Sequence, residues 1–104
     1  MRPPAECHSM RELRAEIDRI DRELVALLVA RAAFIDRAIE LKAQAEMPAR
    51  IETRVSEVLE NVRSLAAGQG LDPALAEALW VRIIEWSIAR EERVLGPQTE
   101  GRTS

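Results

Sequence analysis

The sequence predicts an all-α chain of three helices, the first very long, that pairs with a second copy of itself. Long stretches rich in Ala, Leu, Glu and Arg, with 3% aromatic residues and no Tyr, favour helix over sheet. Apolar residues recur at helical spacing in three stretches separated by Pro and Gly. The first stretch, Met10 to about Ala45, contains neither breaker. At 1.5 Å per residue it runs about 54 Å, whereas a compact domain of this size has a radius of gyration of about 13 Å.

Residues 1–8, with Pro3 and Pro4, read as a flexible leader. Ser9 followed by Glu12 is a capping box, the pattern that satisfies the free amide donors of a helix start. Apolar residues then fall at Leu13, Ile17, Ile20, Leu24 and Leu27, and again at Phe34, Ala38, Leu41 and Ala45, in alternating steps of four and three. A helix this long overhangs any monomeric core. Its seam therefore predicts an antiparallel pair of identical helices across a two-fold axis, an obligate homodimer.

Pro48 ends this helix or its following turn. A second helix is expected over about 49–67, with the stripe Ile51, Val55, Val58, Leu59, Val62, Leu65 and Ala66. Gly68 and Gly70 terminate it, and Asp72 caps a third helix with Pro73 at its first position. That helix is apolar on two adjacent faces. Leu75, Leu79, Ile83 and Trp86 form one, and Trp80, Ile84, Ser87, Glu91 and Val94 or Leu95 form the other. Gly96 and Pro97 stop it, leaving a polar tail over 96–104 and one helical domain over 9–95.

Composition narrows the classes of function. With 104 residues, 47% apolar and 32% charged, the chain can build a single core and is not a disordered polymer. A net charge of -3 argues against non-specific nucleic-acid binding. Cys7 and His8 are the only residues of their types, so one chain holds no disulfide framework and no Cys/His metal site. No apolar run reaches the ~20 residues of a membrane span, and the leader lacks a signal-peptide core, so a cytoplasmic location is expected.

Four polar residues occupy positions that the apolar pattern assigns to the interior: Arg31, Lys42, Ser87 and Glu91. Arg31 takes the step between the two halves of the first seam. Lys42 follows eleven residues on, which returns it to within about 20° of Arg31 and about 16 Å along the axis. Ser87 and Glu91 lie one turn apart on the third helix. Spacing alone fits two readings equally: a structural network in which Glu91 neutralises Arg31 or Lys42, or a cationic pocket for a small dianion. Arg14 flanks the same seam about 25 Å from Arg31. One small ligand cannot touch both in one subunit, but an antiparallel dimer can bring Arg14 of one chain to the middle of the other. Taken alone, an arginine at the Arg14 position is more often a solvated surface residue.

The run Leu13-Arg14, Ile17-Asp18-Arg19-Ile20-Asp21, Leu24, Leu28, Arg31 and Lys42 resembles the first helix of the all-helical chorismate mutases and of the similar isochorismate pyruvate lyases. The resemblance continues through Pro48, Arg54 and Ile83-Ile84-Glu85-Trp86-Ser87 to Glu91, covering nearly all of the expected helical domain. It implies an intertwined dimer of three-helix chains and the rearrangement of chorismate to prephenate, with no cofactor. Arg31 and the partner's Arg14 would hold the two substrate carboxylates, Lys42 a carboxylate and the ether oxygen, and Ser87 the carboxylate side. Arg54 matches a further family position near the pocket, while its neighbours equally suit a surface role.

Two departures bear on this resemblance. Many members carry Gln where this chain has Glu91, as a donor to the ether oxygen, and an ionised carboxylate cannot donate. The protonated form is therefore the expected active one. Typical bacterial mutases also carry acids where this chain has Ile51 and Val55, the latter facing the ring hydroxyl of chorismate. Aliphatic residues there resemble the lyases, which make salicylate and pyruvate from isochorismate, whereas Ser87 resembles the mutases. The mutase reading leads, followed by the lyase, a 4-amino-4-deoxychorismate mutase and a non-enzymatic helical dimerisation module.

Overall fold

A computed structural model describes residues 2–96. Its elements are a 3-10 turn at Pro4–Glu6 and three helices, α1 (Met10–Gln44), α2 (Glu52–Gln69) and α3 (Pro73–Leu95). The chain is all-α, as its composition predicts. Met1 and the expected tail beyond Gly96 lie outside the described residues. None of the three helices is long and apolar enough to cross a membrane. The chain divides into two compact units, Met1–Phe34 and Ile35–Ser104, with α1 continuous through the boundary.

In the first unit Ser9 Oγ accepts the Glu12 amide at 3.1 Å, which is half of a capping box. The Glu12 carboxylate reaches the His8 amide at 3.0 Å rather than that of Ser9, and it also pairs with Arg2. Beyond this start, every residue from Ile17 to Ala30 is exposed, including the seam residues Ile17, Ile20, Leu24 and Leu27, the last at 67%. An uninterrupted apolar seam in water is the mark of an unsatisfied surface.

The second unit has its core where α2 packs on α3. Ala49, Ile84 and Ile88 are buried at its centre, with Val55, Val58, Leu59, Trp80 and Leu95 around them. Of the two apolar faces of α3, the one carrying Ile84, Ser87 and Glu91 turns inward. Leu75, Leu79 and Trp86 stay about half exposed, and Leu95 rather than Val94 completes the inner stripe. Ile88, outside both expected stripes, is buried at one turn from Ile84.

The helix ends show why the boundaries fall where they do. Gly70 takes φ +80°, and the amides of Gly70 and Leu71 bond back to Ala67 and Ala66, so α2 ends in a Schellman motif with Gly68 still helical. α1 closes by the same pattern before Pro48 is reached. The Met47 amide bonds to the Lys42 carbonyl at 2.8 Å and that of Glu46 to Ala43 at 3.3 Å, with Glu46 at φ +56°. A side chain in that conformation costs roughly 1 kcal/mol. Glu46→Gly is therefore expected to stabilise the fold by up to about 1 kcal/mol, read as a higher urea midpoint at unchanged slope. α2 starts at Glu52, not at Ala49, because Ala49 is packed into the core at 2% exposure and its carbonyl is turned to Lys42.

Candidate active site

The site starts from the last turn of α1. Lys42 projects from it with 18% of its side chain exposed, donating to Glu91 Oε1 at 2.7 Å and to the Ala49 carbonyl at 2.8 Å. An ammonium has three donors, and these two bonds leave one for an incoming oxygen. Glu91 stands on the inner face of α3 with only 5% of its side chain exposed. The pair is thus a desolvated cation and carboxylate joining α1, α3 and the connection between α1 and α2. Removing either partner would strand the other charge in the interior.

Ser87 sits one turn before Glu91, 4% exposed, and its hydroxyl donates to the Ile83 carbonyl at 2.9 Å within the helix. At the start of α2, Val55 is half-buried against the Ala49, Ile84 and Ile88 core. Ile51 is half-buried in extended backbone just before it. Neither aliphatic side chain offers a hydrogen-bonding group. Arg54, one residue before Val55, pairs with Glu57 and keeps 64% of its side chain exposed.

Of the seven residues singled out in the sequence, the structure joins Lys42 and Glu91 directly and buries Ser87 one turn before Glu91 on α3. Val55 belongs to the same unit, and Arg54 lies on its surface. Arg14, exposed, and Arg31, half-buried, belong to the first unit. Among the described residues, no group of three or more His, Cys, Asp or Glu is placed to hold a metal ion.

Sequence reasoning misses three contacts here. The Ala49 carbonyl is one, and no side-chain pattern announces a backbone acceptor. The second is an ion pair from Arg50 to Glu85, flanked by Glu52 at 3.7 Å, which raises the Arg50 pKa chiefly through the Glu85 hydrogen bond. In the third, Arg90 grips Asp36 through Nε at 2.6 Å and Nη2 at 3.0 Å. Its guanidinium also lies 5.4 Å over the Trp86 ring. The hydrogen bond from Arg90 holds the Asp36 carboxyl below the usual carboxylate range.

Residues 13–92 match the model of the family described as chorismate mutase type II. Over 92 residues the chain is 35% identical to an isochorismate pyruvate lyase of Pseudomonas aeruginosa, covering 88% of this chain and 89% of that protein. Over 56 residues it is 41% identical to a bifunctional chorismate mutase/prephenate dehydratase of Aquifex aeolicus, covering 54% of this chain and 16% of the relative.

Proposed function

This chain belongs to the chorismate mutase type II family, and we propose that it rearranges chorismate to prephenate. Within one substrate molecule the ether C–O bond breaks as a C–C bond forms, a step that needs no nucleophile. It needs a substrate held in its compact reactive shape and stabilisation of negative charge growing on the ether oxygen. The observation that carries the reading is the desolvated Lys42 and Glu91 pair beside buried Ser87 in a chain of this family. Lys42 has a donor to give the ether oxygen, and its charge acts at low dielectric.

In this scheme Arg31 and Arg14 of the partner subunit hold the two carboxylates, Ser87 lines the carboxylate side, Val55 faces the ring, and Arg54, paired with Glu57 at the surface, stands near the pocket. The homodimer it requires is supported by the exposed seam from Ile17 to Leu28 and by the half-exposed Leu75, Leu79 and Trp86. An apolar surface of that extent calls for a second copy to cover it.

Isochorismate pyruvate lyase is the second reading. The lyase relative covers 88% of the chain, and Ile51 and Val55 are aliphatic where typical bacterial mutases carry acids, as the resemblance to the lyases implies. Purified protein given chorismate and isochorismate separately, with prephenate and salicylate followed, tests both. Prephenate formation is the expected result, salicylate would promote the lyase, and turnover of neither would overturn enzymatic function on these substrates.

The Glu91 position gives a second test. As a carboxylate paired with Lys42, Glu91 has no proton to donate to the ether oxygen. Glu91→Gln, a permanent donor, is expected to keep mutase activity at or above that of the wild type, read as kcat on chorismate. Loss of that activity in a folded Gln variant would sink the assignment.

A further inference from the structure

The pairing of Asp36 with Arg90 joins the same two helices as the Lys42 and Glu91 pair, and the function above does not use it. Arg90 immediately precedes Glu91 on α3, and Asp36 precedes Lys42 by six residues on α1, about 9 Å along the axis. From almost one level of α3, the two pairs therefore reach two levels of α1. We propose that Asp36 and Arg90 are positioning residues, whose fork-shaped pair sets the register of the end of α1 on α3 and so aims the Lys42 ammonium. The inference rests on the reading of Lys42 and Glu91 as groups that meet the substrate.

The chemistry of the two pairs differs in the way this role requires. Lys42 and Glu91 are long, flexible side chains, and their contact can survive a shift of the backbone between them. Asp36 has a short stem, and Arg90 meets both of its oxygens with a planar fork, at 2.6 and 3.0 Å. The Trp86 ring under the guanidinium removes further freedom. A slip of α1 by one residue moves Asp36 by about 1.5 Å and about 100°, which the fork does not tolerate. Half-exposed ion pairs contribute little to stability, so the effect belongs in geometry rather than in the folding free energy. A misplacement of about 1 Å at a reacting centre can cost up to about a hundredfold in rate.

The test uses the full chain with Asp36→Asn, Arg90→Lys, the double variant, and Asp36→Glu, which keeps the charge but lengthens the stem. Arg37→Gln, from an exposed pair with Glu40, serves as control. Two readouts are taken: kcat and KM on whichever isomer the wild type turns over, and the NMR signal of the Lys42 ammonium. Each single variant is expected to lower kcat about tenfold with KM within about twofold, and the double to fall no further than the worse single. The Lys42 signal should move and its protons exchange faster in the variants but not in the control. A Lys42 signal unmoved in the three single variants overturns the inference whatever the rates do, as does an unchanged kcat in an active enzyme. If the wild type turns over neither isomer, the proposed reaction fails, and the Lys42 signal alone decides whether the fork positions that ammonium.

Discussion

Lys42→Ala is expected to lower kcat by about a hundredfold to a thousandfold, the scale seen when one donor to a developing oxyanion is removed. The same change leaves the Glu91 carboxylate, 5% exposed, facing the space of its lost partner. Stranding a buried charge costs about 3 kcal/mol or more, so loss of activity in this variant alone would not separate catalysis from folding. The double variant Lys42→Met/Glu91→Leu makes that separation. Replacing a buried ion pair by apolar groups of similar volume is often neutral or stabilising, so the double variant is expected to unfold within about 1 kcal/mol of the wild type. It should nevertheless form no prephenate and no salicylate. Measured together, urea unfolding and turnover decide the point: a stable double variant that keeps its activity would reduce the pair to a structural strut.

That ambiguity is already present in the sequence, and its origin is physical. The four-and-three spacing of α1 and the inner stripe of α3 each mark a polar residue on an apolar face, so Lys42 and Glu91 are each legible as interior polar residues from periodicity alone. The direction of their contact is not, because Arg31 shares the seam with Lys42 and either cation could have answered Glu91. The end of α1 is legible only to within a turn. Pro48 announces a break, but the chain turns at Glu46, a residue without special left-handed preference, because the Lys42 and Ala43 carbonyls find amide donors there. Asp36 and Arg90 are invisible in sequence: each is a charged residue at a half-exposed position, indistinguishable from a solvated one until the fold brings 54 residues of separation to a 2.6 Å contact. Local pattern thus reaches the residues whose burial contradicts their chemistry and misses those whose partners are distant and wet.

The proposed sharing of Arg14 across a dimer yields the second large effect. Arg14→Ala and Lys42→Ala are each expected to reduce turnover to about 1% or less of wild type, since each removes a charge-assisted contact from every site. Mixed after unfolding and refolded together, the two variants should regain activity. In a heterodimer, the chain carrying Arg14→Ala supplies an intact Lys42, and the other chain supplies an intact Arg14; these meet in one of the two sites. The other site receives both defects. With equal amounts and random pairing, half the dimers are mixed and half their sites are whole, so about a quarter of wild-type activity returns. If Arg14 instead served the site of its own chain, every site in the mixture would carry one defect or the other, and mixing would restore nothing. Light scattering on the refolded mixture, run beside the assay, checks that dimers have formed, so an absence of recovery in a dimeric sample would rule out the shared site.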